Sequence, residues 1–129
     1  MHDSNYYYNQ MNYYDNLIKT AEKEHEQYKS LKSNLSNLNG SLPNIQTDLK
    51  DAEKSFLNGG YVDNNETFDK GKIKECCTNI DTITNDISSV IGKISKKLTE
   101  LENDINNYKV QYNNASSNYN SARLKEQED

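Results

Sequence analysis

The stretch that decides the fold runs from Leu31 to Phe56 and reads LKSNLSNLNGSLPNIQTDLKDAEKSF. Its large apolar residues recur at alternating intervals of three and four positions, which places them on one side of an α-helix. Polar residues fill nearly all the positions between them. This spacing predicts a helix that packs along a single apolar stripe, as the helices of coiled coils do.

The same spacing extends toward the N-terminus and predicts a first helical arm over about residues 5–57. Only Glu24 places a charged side chain at a stripe position within this arm. The apolar stripe residues are Tyr14, Leu17, Ala21, Tyr28, Leu31, Leu35, Leu38, Leu42, Ile45, Leu49, Ala52 and Phe56.

Gly40 and Pro43 interrupt this arm, since a proline inside a helix removes a hydrogen bond and costs about 3 kcal/mol. The three-and-four spacing nevertheless continues unchanged through this segment. We therefore expect a kink near Gly40-Pro43, with Ser41 or Leu42 capping the segment that follows. A break into two separate helices is the alternative.

A second arm is predicted over about residues 71–124. Its stripe changes phase after Ile94, which predicts a four-residue stutter near Ile94 to Leu98. Two arms of matched length predict an all-α fold, a long antiparallel two-helix hairpin forming one domain over residues 1–129. The stripe residues are Ile73, Cys76, Ile80, Ile83, Ile87, Val90 and Ile94, then Leu98, Leu101, Ile105, Tyr108, Tyr112, Ala115, Tyr119 and Ala122.

The loop predicted between the arms covers about residues 58–70. Its paired glycines suit a left-handed helix C-cap, and its aromatic residues are expected to fold back over the tip. The tail, residues 125–129, has no apolar anchor and is expected to fray. The predicted tip residues are Gly59, Gly60, Tyr61, Phe68 and Asp69.

Composition excludes several classes of partner. The net charge of −5 is spread along the chain and no Lys/Arg cluster could follow a phosphate backbone, so we expect no nucleic-acid binding. No apolar run approaches the ~18 residues of a membrane span, so no membrane insertion is expected. The first residues lack the pattern of a secretory signal, which predicts a cytoplasmic protein.

The reactive residue types form no catalytic or metal-binding pattern. His2 and His25 lie far apart in the sequence, and His25, beside several glutamates, is expected to be solvated on a charged helix face. Cys76 and Cys77 are adjacent, which is neither a zinc nor a redox spacing, so we expect one to be buried and the other partly exposed. The sequence predicts no cofactor, no metal and no enzymatic activity.

Tyrosines cluster near the start of the first arm and the end of the second. Folding the chain into a hairpin brings these groups together at its open end, and tyrosine is enriched in protein interfaces. The alternative is that these residues form the core at that end. Apolar residues outside the stripe favour either a homo-oligomer or a helical partner. The predicted partner-binding residues are Tyr7, Tyr13, Tyr14, Tyr108, Tyr112 and Tyr119.

The segments FLNGGY at residues 56–61 and DKGKI at residues 69–73, followed by the Ile/Leu-spaced second arm, carry a family resemblance. The chain resembles the small helical-hairpin proteins of type VII secretion in low-GC Gram-positive bacteria, WXG-like proteins that accompany LXG-domain toxins. Two features depart from that pattern. There is no Trp for a W-x-G turn, and no Tyr or Phe is followed four residues later by Asp or Glu, the usual export signal.

The resemblance implies a non-enzymatic accessory protein, a chaperone or targeting factor. Such a protein packs on the helical N-terminal LXG domain of an effector and is exported through type VII secretion with it, on a signal supplied by the partner. The resemblance also allows a second small helical protein in the complex. The alternative is a self-assembling coiled-coil scaffold protein, which would form a defined oligomer on its own.

Overall fold

The computed structural model describes residues 2–58 and 70–128, with the side chains of 2–56 and 71–128. Two helices account for nearly all of these residues: α1 spans Ser4–Asn58 and α2 spans Lys70–Glu128. The predicted all-α helical hairpin is confirmed, with helix ends close to those expected. The predicted tip residues Gly59, Gly60, Tyr61, Phe68 and Asp69 lie outside the described residues.

The start of α1 is fixed by two carboxylates. Asp3 caps the helix, since its Oδ1 accepts a hydrogen bond from the amide of Tyr6 at 3.0 Å. The amide and hydroxyl of Ser4 both donate to Glu126, each at 2.9 Å. The prediction that residues 125–129 fray is therefore wrong for Lys125 to Glu128, because Glu126 satisfies donors that a helix start leaves unpaired.

Helix α1 continues through Gly40 and Pro43, so the alternative of two separate helices is wrong. The predicted cap at Ser41 or Leu42 is wrong as well. The Ser41 hydroxyl instead donates to the Asn37 carbonyl one turn earlier, as serines inside helices do. Leu42 is 9% exposed, and its packing helps to offset the hydrogen bond that Pro43 cannot donate.

The chain divides into two compact units, each pairing a segment of α1 with a segment of α2. Unit 1 comprises Met1–Ser30 and Ser95–Asp129. Its helices are antiparallel, because Ser4 contacts Glu126 whereas His25, further along α1, contacts Glu102. Its buried hydrophobic residues are Ala21, Leu98, Leu101, Ile105, Ala115 and Ala122, with Tyr28 and Tyr108 packed against three of them.

Unit 2 comprises Leu31–Ile94. Its segments are antiparallel too, because Asn39 bonds to Ser88 whereas Gln46 bonds to Asp81. The buried or half-buried residues of α1 here are Lys32, Leu35, Asn39, Leu42, Gln46, Leu49, Glu53 and Phe56. Burial thus follows a three-and-four spacing, but half of the row differs from the predicted stripe. Leu31, Leu38, Ile45 and Ala52 are exposed instead.

The same correction applies to α2. Its buried or half-buried row in unit 2 is Ile73, Cys77, Ile80, Thr84, Ile87, Ile91 and Ile94. Leu98 follows Ile94 by the expected four residues, so the row keeps its spacing and the predicted stutter is wrong. The predicted stripe residues Cys76, Ile83 and Val90 are exposed. One cysteine is buried and its neighbour exposed, as predicted, but the buried one is Cys77.

Candidate functional site

Three tyrosines near the start of α1 expose large aromatic surfaces. Tyr6 is 41% exposed, Tyr8 51% and Tyr13 60%. Tyr6 and Tyr13 are seven residues apart, which places them on the same side of the helix two turns from each other. Tyr8 is two residues from Tyr6, about 200° around the helix, so it faces another side. Since large aromatic side chains are usually withdrawn from water, these three residues, here called the exposed tyrosines, are candidate contact residues of unit 1.

Neighbouring side chains hold two of these rings. His2 stacks on Tyr6 with ring centroids 3.8 Å apart, and Tyr7 meets Tyr6 edge-on at 5.3 Å. The Gln10 amide donates a hydrogen bond to the Tyr6 hydroxyl at 3.1 Å. Tyr14 meets Tyr13 edge-on at 5.1 Å. A ring held in this way loses less conformational freedom when a partner binds.

The structure distributes the six predicted partner-binding tyrosines unevenly. Only Tyr13 is exposed, and the other five are half-buried in the rows where α1 and α2 of unit 1 meet: Tyr7, Tyr14, Tyr108, Tyr112 and Tyr119. The two arms do bring their tyrosines together, since the rings of Tyr8 and Tyr119 lie 6.2 Å apart. For these five residues the placement favours the alternative, that they form the core at this end of the chain.

A charged pair on α1 lies open to solvent in unit 1. The pKa of Lys19 is raised by the hydrogen bond and charge of Asp15, with Nζ and Oδ2 2.8 Å apart, and to a lesser degree by Tyr112. The pair is one helical turn apart and open to solvent, so it contributes little to binding by itself.

A second candidate surface lies in unit 2. Five large aliphatic residues there are 43–49% exposed: Leu31, Leu38, Ile45, Ile83 and Val90. On each helix they recur at intervals of seven, so they form one straight row per helix. We call this surface the aliphatic face.

Cross-helix hydrogen bonds show that both rows belong to one face of unit 2. The Asn39 amide donates to the Ser88 hydroxyl at 3.0 Å, and the Gln46 amide donates to the Cys77 carbonyl at 2.8 Å and the Asp81 carboxylate at 2.7 Å. On α1, the row through Asn39 and Gln46 lies on one side of the row through Leu42, and the row through Leu38 lies on the other side. In an antiparallel pair, the opposite flank of each helix then faces the same way. That flank carries the aliphatic residues.

A shallow groove in unit 1 surrounds His25. Its ring nitrogen lies 3.1 Å from Glu102, and Glu22 lies 3.8 Å from Lys109 on the other helix. The prediction of a solvated His25 is wrong, because its side chain is 22% exposed and packed between the helices. Among the described residues, no group of three or more His, Cys, Asp or Glu side chains could hold a metal ion. The lining residues are Glu22, His25, Glu26, Glu102, Ile105, Asn106 and Lys109.

Sequence reasoning missed the aliphatic face because its residues satisfy the same spacing as a packed stripe. Two signals could have found it. Assigning Cys77, Thr84 and Ile91 to the second stripe keeps its spacing regular, with no stutter. On α1, the polar residues Asn39 and Gln46 lie seven apart, as expected for side chains that bond across two helices.

Neither α1 nor α2, over the ranges given above, is apolar enough along its length to cross a membrane. Comparisons of the chain with protein-family models, with curated proteins and with solved structures found no match. The surfaces themselves are therefore the basis for a functional assignment.

Proposed function

We propose that this chain is a non-enzymatic helical binding protein. In its most specific form, the proposal is an accessory or targeting partner that packs on the helical N-terminal LXG domain of a type VII secretion effector. It would meet the effector in the cytoplasm and support its export. The binding role rests on exposed side chains of this structure, and the identity of the partner rests on the family resemblance of the sequence.

The exposed tyrosines are the observation that carries the binding role. Tyr6 and Tyr13 present their rings two helical turns apart, the repeat at which a second helix presents side chains of its own. Tyrosine combines a large apolar area with a hydroxyl that can reach a polar partner at the edge of an interface. Because His2, Gln10 and Tyr14 already contact these rings, less ordering remains when a partner helix docks.

A non-enzymatic role is supported by how unit 1 uses its polar residues. His25 and Glu102 contact each other across the two helices, and so do Glu22 and Lys109. These groups are paired with each other across the two helices, and because Glu102, Glu22 and Lys109 are more than half exposed, each pair contributes little to stability. Paired in this way, they add to the contact between the helices and leave binding to other side chains on the surface.

Affinity purification of the tagged chain from its native host, with mass spectrometry of the co-purified proteins, tests the proposal. We expect a large protein with a helical N-terminal domain and a toxin-like C-terminal domain. The triple variant Tyr6→Ser, Tyr8→Ser, Tyr13→Ser should lose that protein while its helical circular dichroism is retained. Each lost aromatic contact should weaken binding by about 1 kcal/mol or more.

Two controls make the result specific. The matched variant Asn9→Ser, Asn12→Ser, Asn16→Ser changes three exposed residues of the same helix segment and should retain the partner. The Tyr→Phe triple variant keeps the rings and should retain most of the binding. If the serine triple variant still captures the partner at wild-type yield, the exposed tyrosines are not the contact surface.

The second candidate function is a self-assembling coiled-coil scaffold, which the aliphatic face favours. A scaffold would be recovered without any heterologous protein, as a stable oligomer of this chain. That outcome in the same purification would reject the accessory role.

A further inference from the structure

We propose that the aliphatic face is a self-association surface, and that two copies of this chain dock face to face through it so that unit 2 becomes half of a four-helix bundle. The proposal is independent of the binding role of the exposed tyrosines, which lie in unit 1. It rests on the direction of the apolar rows, on the charge around them and on their extent.

The direction in which the apolar rows of unit 2 face indicates how many further helices are needed to cover them. On α1, steps of three and of four residues turn by about 60° and 40° at about 100° per residue, so neighbouring rows lie about 50° apart. Helix α2 lies midway between the packed rows through Leu42 and through Asn39. The row through Leu38 lies about 50° to the other side of Leu42. The midpoint between the rows through Leu42 and Leu38, which carry the leucines, is therefore turned by about 50° from the direction of α2.

The same turn occurs on α2, where Ile87 packs toward α1 and Val90 is exposed. In a square bundle of four helices, the centre lies 45° from the direction of each neighbouring helix, and in a three-helix bundle it lies 30° away. A turn of about 50° on both helices fits four. The missing part is thus a second antiparallel helix pair rather than a single helix.

The charge around the face favours a second copy as that pair. The chain carries a net charge of −5, so two copies repel each other wherever acidic residues meet. Residues 33–47 of α1 contain no charged side chain, and neither do residues 87–92 of α2. These two stretches lie beside each other, as the bond between Asn39 and Ser88 shows. A two-fold axis through this region lets identical uncharged surfaces meet.

The extent of the face sets the expected strength. Leu31 to Ile45 covers two heptads, about 20 Å along the helix, and two helices are about 20 Å wide. A footprint of roughly 400 Å² per copy, about 800 Å² in total, is smaller than that of stable complexes and fits a weak, transient one. We therefore expect a reversible dimer with a dissociation constant in the micromolar range.

Analytical ultracentrifugation of the full chain with a reducing agent tests the proposal, over roughly 1–300 µM to bracket that range. The reducing agent keeps the exposed Cys76 from forming an adventitious disulfide. We expect a concentration-dependent change from monomer to dimer. The double variant Leu38→Glu, Val90→Glu should remain monomeric throughout, and the milder Val90→Ala should raise the dissociation constant about tenfold.

The matched control is Ser36→Glu, Ser89→Glu, which adds the same two charges at exposed positions of unit 2 outside the aliphatic face. It should dimerise within about threefold of wild type, and circular dichroism should show that all variants keep their helices. A wild-type chain that stays monomeric over the whole range would overturn the proposal. The proposal would also be overturned if the control variant dissociated as readily as the double variant. It would be overturned as well if the chain were monomeric and used Leu38 and Val90 to bind a different protein.

Discussion

Units 1 and 2 are built from the same two helices with the same spacing of apolar residues, yet they pack differently. In unit 1 the contact rows contain Ala21, Ala115 and Ala122, all of which are buried. Small residues let two helix backbones approach closely, so large neighbours such as Leu101 become buried as well. In unit 2 the contact row of α1 alternates leucines with polar residues. Much of its aliphatic surface stays exposed on one face.

The difference shows that apolar spacing alone does not determine which residues of a two-helix protein are buried. In unit 2, α1 faces α2 with the apolar row through Leu42 and the polar row through Asn39, although the third row, through Leu38, is also apolar. The third row is then available to another molecule. In unit 1 the third row contains Glu24 of α1 and Asp104 of α2, whereas in unit 2 it carries the aliphatic face. The two units thus differ in what they offer to partners.

The largest difference in stability between equivalent substitutions in the two units is expected when a charge is placed at a leucine. Leu101 in unit 1 is 3% exposed and packs with Ala21 and Ile105, whereas Leu38 in unit 2 is 49% exposed. Leu101→Asp removes buried apolar contacts and places a carboxylate among them, so it should lower the free energy of unfolding by about 4 kcal/mol or more. Leu38→Asp should lower it by less than about 1 kcal/mol in the monomer.

Urea unfolding followed by circular dichroism measures both variants. The protein concentration should lie well below the expected dissociation constant of the dimer, at about 0.5 µM or less, so that self-association contributes little. Similar losses for Leu101→Asp and Leu38→Asp would mean that the two leucines are equally buried. The contrast between the units would then be wrong.

The sequence predicts the secondary structure and topology of this protein better than it predicts which residues are buried. The two helices, their approximate ends and their antiparallel pairing follow from periodicity and from matched lengths. The choice of contact rows did not follow, because Leu38 and Asn39 are neighbours in the chain and only the partner helix decides which of them faces inward. The same holds for Cys76 and Cys77. Tyrosines at this end were recognised as a group, but of the exposed tyrosines only Tyr13 was among the predicted contact residues, because which rings face solvent depends on that same choice.

An intermediate effect is expected where helices approach closely. Ala115 of unit 1 is 2% exposed, whereas Ala52 of unit 2 is exposed. Ala115→Leu forces extra methylene groups between the helices and should lower the free energy of unfolding by about 1–3 kcal/mol. Ala52→Leu places the same side chain in solvent and should change it by no more than about 0.5 kcal/mol. Thermal melts of the Ala115→Leu and Ala52→Leu variants measure both effects. An Ala115→Leu chain that is more stable than wild type would show that the helices of unit 1 leave space for a larger side chain.

The smallest effect should have the opposite sign and should occur in unit 2. The side-chain oxygen of Asn39 is buried without a hydrogen-bond partner, although its amide nitrogen donates to Ser88. An unsatisfied buried acceptor destabilises the folded state by about 1–3 kcal/mol, more than a single hydrogen bond restores. Asn39→Leu removes the acceptor and adds apolar contact, and Ser88 is exposed enough to bond water instead. The variant should be more stable by about 1 kcal/mol.

The exposed Asn37 provides the control, since Asn37→Leu on the same helix should change the free energy of unfolding by no more than about 0.5 kcal/mol. A gain at Asn39 alone would show that unit 2 retains a polar residue at a measurable loss of stability. Such a residue has a physical use in a helix pair, because a buried polar contact is satisfied in only one register. A destabilised Asn39→Leu chain would instead mean that the bond to Ser88 outweighs the buried oxygen. The polar row would then stabilise unit 2 directly.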